Sequence, residues 1–317
     1  MTGDLAARIG ALLGVDVTVL HAVGTQHGYR HLTARLADGR EAFVKVGAEP
    51  GAQPDTEPGA QPGAEPGAKQ ATAFAAEANG LRWLAAAALA DGGAAAVPEV
   101  LGVDDSMLVI ELLPPGRPSP RAARDFGADL ARTHAAGAPR FGAPWTGFIA
   151  SVPLDNTPLD DAGDTDWGTW YAARRIIPFL RLARDNGALS RDDTRLVESV
   201  IERIGELAGP PEPPSRVHGD LWSGNVLWSG GRGWLIDPAA HGGHRETDLA
   251  MLALFGAPHL DAILRGYTET AELSEGWPER VPLHQLHPLL VHCCLFGRSY
   301  AQQASAAAQA ALRAGLR

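Results

Sequence analysis

Three side chains close together in the sequence make a set that can move a phosphoryl group. Residues 217–228 read VHGDLWSGNVLW, with Asp220 five positions ahead of Asn225, and the LIDP segment at 235–238 adds Asp237. Transfer of the γ-phosphoryl of ATP to a hydroxyl asks for one carboxylate to accept or orient the hydroxyl proton. It also asks for an amide oxygen and a second carboxylate to hold Mg2+ on the phosphates. Asp220 therefore reads as the general base, and Asn225 and Asp237 as the metal ligands. Magnesium keeps several waters and takes few protein oxygens besides phosphate, so this short ligand list suffices. His218, two positions before the base, reads as a brace for the loop. HGD is also an ordinary turn and NVLW an ordinary strand; the complete constellation argues for chemistry.

The D-x-x-x-x-N spacing is that of the catalytic loop of protein kinases, and the apolar run before Asp237 matches the strand presenting their metal-binding Asp. Here the loop reads H-G-D rather than H-R-D and the second element I-D-P rather than D-F-G. Those departures point to small-molecule acceptors rather than proteins. HGDLWSGN, then IDPAAHGGHRETDLAML at 236–252, then GWPERVPLHQLHPLLVHCCLFGRSY at 276–300 resemble the fructosamine kinase family, the ketosamine 3-kinases. The resemblance runs from about residue 19 to 300, and its most specific parts are Trp222 and the GHRE-x-DLAM segment. It implies an α+β, bilobal protein-kinase-like fold shared with aminoglycoside and choline kinases. It also implies ATP-dependent phosphorylation of the sugar 3-hydroxyl of fructosamine or ribulosamine adducts, which releases the amine and repairs glycation. The acceptor is a small-molecule or protein-bound ketosamine.

Lys45, in the alternating strand AFVKV, takes the part of the lysine that contacts the ATP phosphates, with Glu77 on the following helix as its ion-pair partner. Taken alone, each also reads as a solvated charge. Gly24 and Gly28 flank the turn between the first strands, where a phosphate-covering loop belongs, although such glycines mostly mean a turn. Glu111 and Leu113, at the end of a later strand, complete the nucleotide set. Trp222 offers a flat apolar face for a sugar or its adduct, or else packs the loop. By resemblance and charge, His244 and Glu246 are expected to face the substrate and Asp248 to secure the catalytic loop. Trp145, Phe148 and Ile149 are expected to border the acceptor pocket. His134 reads as structural, and His284, His287 and His292 as surface or core residues.

The alternatives are an aminoglycoside- or choline-type hydroxyl kinase, against which Trp222 and the GHRE segment argue, and a nucleotide-binding pseudokinase. The latter predicts loss of Lys45, Asp220, Asn225 or Asp237, and all are present.

These residues need two lobes to position them. A chain of 317 residues with 45% hydrophobic content has room for both. The charge of −10 argues against a nucleic-acid backbone as ligand. Cys293 and Cys294 are adjacent in an apolar run and read as reduced core residues; no zinc-ligand spacing is visible. With no signal peptide or membrane span, a cytoplasmic protein, monomeric by preference, is expected. The N-terminal ATP-binding lobe is set at 1–113, the catalytic and substrate lobe at 114–317, divided at Pro114-Pro115-Gly116. An opening helix at 4–14 precedes strands at 17–23 and 31–46, the latter broken by Asp38-Gly39, a hairpin signal. The Gly-Ala-Glu/Gln-Pro repeat at 47–70 lacks apolar bulk and is expected to be a disordered insert. A helix at 71–89 and strands at 97–103 and 107–113 complete the first lobe. Helices at 122–135, 167–186 and 192–207, and two after Asp248, fill the second.

Overall fold

The computed structural model describes residues 2–26, 28–47, 66–88, 93–150, 152–159 and 166–315. Most of the Pro-Gly-Ala repeat therefore lies outside the described residues, as does His27 of the glycine turn.

Alternation of side chains builds the first half. After helix α1 (Thr2–Leu13) come strands β1 (Val17–Gln26), β2 (Tyr29–Leu36) and β3 (Glu41–Gly47). The β2–β3 turn carries Gly39 at φ 89°, a backbone conformation that favours glycine. β4 (Val100–Val103) and β5 (Met107–Glu111) complete an antiparallel sheet of order β1-β2-β3-β5-β4. Period two sorts β3 between two cores. Ala42, Val44 and Val46 pack with Leu5 and Ile9 of α1, while Phe43 packs on the opposite face, with Phe74 and Leu81. Lys45 shares the parity of Phe43 and so points toward α2 (Pro66–Ala85). On α2, Phe74, Ala78 and Leu81 form the buried stripe, and Glu77 lies on it. α2 begins at Pro66, earlier than the 71 expected, and ends at Ala85. No apolar stripe marks its first turn, so the pattern gave no sign of it.

The second half is helical, with short strands that periodicity does not reveal. α3 (Pro120–Ala135) starts at the Ser119 cap. After β6 (Gly147–Ile149) and β7 (Val152–Leu154), the helix expected at 167–186 is α4 (Trp167–Tyr171) and α5 (Ile177–Asp185) joined by a π turn, Ala172–Ile176. α6 (Arg191–Glu202) and α7 (Ile204–Leu207) follow. β8 (Ser215–Val217) pairs with β11 (His241–Gly243), and β9 (Val226–Ser229) with β10 (Arg232–Leu235). α8 (Arg245–Leu254), α9 (Leu260–Thr270), α10 (Trp277–Phe296) and α11 (Ala301–Ala314) close the fold, where two helices were expected. Two sites of near-contact between backbones lock α3 to α9. A Cβ on Gly127 would lie 1.9 Å from the Ile263 carbonyl oxygen, and one on Gly266 1.9 Å from that of Arg124. Among the described residues no helix is long and apolar enough to cross a membrane.

Candidate active site

Strand β8 delivers the catalytic loop, and a buried carboxylate on α8 fixes it. Asp248 Oδ2 accepts from the His218 backbone N–H at 2.7 Å, and Oδ1 from that of Gly219 at 2.9 Å. His134 Nε2 donates to the same carboxylate at 3.0 Å, and its Nδ1 meets the Tyr267 hydroxyl at 2.8 Å. The His134 bond is a main reason the Asp248 carboxyl stays below the usual range in spite of burial. His218 braces the loop at both ring nitrogens: Nε2 donates to the Ile236 carbonyl at 2.8 Å, and Nδ1 accepts from Asp220 N–H at 3.2 Å. Gly219 sits at φ 84°, and a Cβ there would lie 2.4 Å from the Ala239 carbonyl. Only glycine lets the strand turn so sharply beside that segment.

Asp220, Asn225 and Asp237 converge on this scaffold. Asn225 Nδ2 donates to the Asp220 backbone oxygen at 2.8 Å and to its Oδ2 at 3.1 Å, which leaves the Asn225 amide oxygen uncommitted to Asp220. Ile236 N–H donates to the Asn225 carbonyl at 3.1 Å and ties the two loops together. Asp237 follows at φ 54°, a left-handed conformation unusual for a non-glycine residue. Strain of this kind persists where the surrounding structure over-determines it, as at functional sites. Burial, and then the charge of Asp237, pushes the Asp220 carboxyl up to about 8.

Lys45 joins the sheet to this site. Its Nζ donates to Glu77 Oε1 at 2.7 Å and also to Asp237 Oδ1. Burial opposes the lysine charge, but the two carboxylates outweigh it and raise the ammonium pKa. Burial raises Glu77 to about 7, while Lys45 holds Asp237 low.

Lys45, Glu77, Asp220, Trp222, Asn225 and Asp237 line one cavity of about 630 Å³. Trp145, Phe148 and Ile149 also line it. Gly24, Gly28, Glu111 and Leu113 are not among its lining residues. Glu111 pairs with Ala42 at the sheet's end, and Leu113 is buried.

His244 and Glu246 are placed elsewhere than a substrate-facing role requires. Both are buried and neither lines the cavity. The Arg280 guanidinium donates to both Glu246 oxygens, at 2.9 and 2.6 Å. His244 Nδ1 caps α8 by accepting from Glu246 N–H at 3.2 Å, and burial takes its pKa down to about 3. With His284, whose Nε2 lies 3.3 Å from Glu246 Oε2, they form a trio whose ligand-capable atoms fall within 4.8 Å of one another. Sequence spacing did not show this trio, since His284 arrives from α10. The Arg280 fork already satisfies its carboxylate, so the cluster reads as a neutralised structural core.

Cavity residues not expected from the sequence include Met251, Phe255, His292, Phe296 and Tyr300, all from the C-terminal helices or the turns that end them. One signal was available: positions 292, 296 and 300 recur at helical spacing and all carry rings.

Comparison with known proteins follows the same lines. A family model described as "Fructosamine kinase" matches residues 65–314. A "Probable ketoamine kinase" of Klebsiella aerogenes is 36% identical over 222 residues, covering 68% of this chain and 74% of that protein. A crystal structure of a "putative fructosamine-3-kinase" from Thermobifida fusca overlays with a TM-score of 0.84 at 47% identity, over 98% of each chain. A choline/ethanolamine kinase family protein from Mesorhizobium loti shares the fold alone, with a TM-score of 0.59 at 18% identity over 98% and 94% of the chains.

Proposed function

The chain belongs to the fructosamine kinase family, and from that premise we propose that it transfers the γ-phosphoryl of ATP to the 3-hydroxyl of a sugar in ketosamines. One observation carries the reading: Asp220 and the exposed indole of Trp222 share a cavity with the Lys45–Glu77–Asp237 ion cluster. The indole provides a face for the sugar or its adduct, the Asp220 carboxylate takes the hydroxyl proton, and Lys45 is placed to meet phosphate oxygens. The hydroxyl oxygen forms its bond to the γ-phosphorus as the bond to the bridging oxygen breaks, and ADP leaves. A phosphate at C3 then sets up loss of phosphate and sugar from the amine, which is the deglycation step.

Asn225 and Asp237 fit Mg2+. The Asn225 amide nitrogen faces Asp220, so its oxygen is available, and a carboxylate oxygen with an amide oxygen is the hard donor set magnesium prefers. When bound, the ion neutralises charge developing on the phosphates. A cation held there also favours the ionised form of Asp220, countering the rise that burial causes.

The test is ATP consumption with Mg2+ against ribulosyl-lysine, fructosyl-lysine, an aminoglycoside and choline. Selective turnover of a ketosamine, lost in Asp220→Asn, is the expected result. Turnover of the aminoglycoside or choline instead would keep the kinase and discard the repair reaction.

A further inference from the structure

The cavity does not end at the sugar site. Its lining also includes four rings from the C-terminal helices: Phe255 at the end of α8, His292 and Phe296 on the last turns of α10, and Tyr300 just after it. His292 lies at the centre, with ring centroids 5.1 Å from Phe255, 5.4 Å from Phe296 and 4.8 Å from Tyr300. Gly297 makes this possible. At φ 70° it ends α10 and starts the short 3-10 turn Gly297–Tyr300, which returns Tyr300 to within 5.7 Å of Phe296.

Three observations mark the box as built to be covered. Six large apolar side chains are exposed among the described residues, and Trp222 (38%), Phe255 (39%) and Phe296 (45%) are three of them, all lining this one cavity. Apolar exposure concentrated in a concave site marks a binding surface rather than scatter. Second, Lys45 is the one lysine or arginine among the described residues lining the cavity, and both its neighbours are carboxylates. Asp220 and Asp237 add negative charge at the reacting end. Third, His292 Nδ1 donates to the Pro288 carbonyl at 2.7 Å, and burial lowers its pKa, so the ring is a neutral face rather than a cation.

We propose that this aromatic box is an acceptor subsite for the amine-side arm of the ketosamine, and that it selects a hydrocarbon arm and rejects one bearing a carboxylate. The proposal rests on the ketosamine kinase reading. With the sugar hydroxyl at Asp220 and the ring on Trp222, the substituent on the sugar nitrogen continues along the cavity, away from Lys45. The box gives a hydrocarbon stem apolar faces on several sides and gives an arm carboxylate no cation.

The experiment is a series of ribulosamines with one sugar and varied arms, made from methylamine, butylamine, benzylamine and β-alanine, assayed by ADP release. kcat/KM is expected to rise by ~tenfold from methylamine to benzylamine, the size set by partial burial of one phenyl ring. The β-alanine adduct is expected to fall below the butylamine one. In Phe296→Ala and Tyr300→Ala the benzylamine-to-methylamine ratio should collapse toward one, with Phe296→Leu between. Should a variant fail to fold, the arm series on the natural chain still decides. Equal kcat/KM across the arms, or a preference that survives both substitutions, overturns the subsite alone. No turnover of any ribulosamine removes the parent reading and this one with it.

Discussion

Asp220 is held by its neighbours rather than merely present. Asn225 bonds it, His218 accepts from its amide, and Asp248 anchors the two preceding amides. Asp220→Asn keeps this geometry and removes the base. kcat is expected to fall by ~10²–10⁴-fold with nucleotide affinity retained, as measured by steady-state rates beside ATP-analogue titration. An equal loss of ATP binding would mean the residue serves the nucleotide instead. Gly224 offers a subtler probe. A Cβ there would lie 2.2 Å from the far edge of the Trp222 indole, which must then swing away. Gly224→Ala is expected to raise the acceptor KM by about tenfold, the value of one lost aromatic face, with KM for ATP unchanged. A normal acceptor KM would show that the indole is loop packing. Sequence named Asp220, Asn225 and Asp237 because they lie within eighteen residues at the spacing phosphoryl transfer needs, and Trp222 because its flat apolar face stands beside Asp220. Resemblance and charge alone put His244 and Glu246 toward the substrate; α8 turns both inward, to Arg280 and His284.

At the scale of elements, parity and close approach set the site. β3 sends Lys45 to the α2 face because successive side chains alternate, and the α2 stripe brings Glu77 to meet it. That pairing was legible, since strand alternation and helix stripe are local patterns. Of the later short strands, the NVLW run and the apolar run before Asp237 marked β9 and β10, whereas β6, β7, β8 and β11 were not legible, because three-residue strands carry too few alternations to register. The α3–α9 crossing depends on Gly127. Gly127→Ala drives a methyl into the Ile263 carbonyl and is expected to cost ~3 kcal/mol, read from urea denaturation. Gly205→Ala on α7, where nothing lies within 4 Å, should be neutral or stabilising by about 1 kcal/mol. Equal effects at the two sites would refute backbone contact as the cause.

At the scale of the whole molecule, buried ion pairs link the acid behaviour of the fold to its core. Burial alone would raise the Glu246 carboxyl; the nearby His284 ring and the Arg280 guanidinium instead bring it to about 2 from an ordinary 4.5. A depressed folded value adds stability above the unfolded pKa, and that stability is lost as pH falls through the folded one. Stability should therefore decline between about pH 4.5 and 2 by roughly 3 kcal/mol on this account. Urea titrations across that range, with Glu246→Gln giving a shallower slope, check it; an unchanged slope would assign the acid loss to other groups. The sequence by itself determined the reaction class and the paired-lobe architecture, because catalytic spacing and side-chain periodicity are short-range properties written along the chain. Only the tertiary structure decided which polar residues face the cavity. Asp248, His134 and Tyr267 meet beneath the catalytic loop, and Phe255, His292 and Tyr300 come together in the lining of the pocket. Those contacts join separate elements, and the direction in which a helix turns its side chains is fixed by what packs against it.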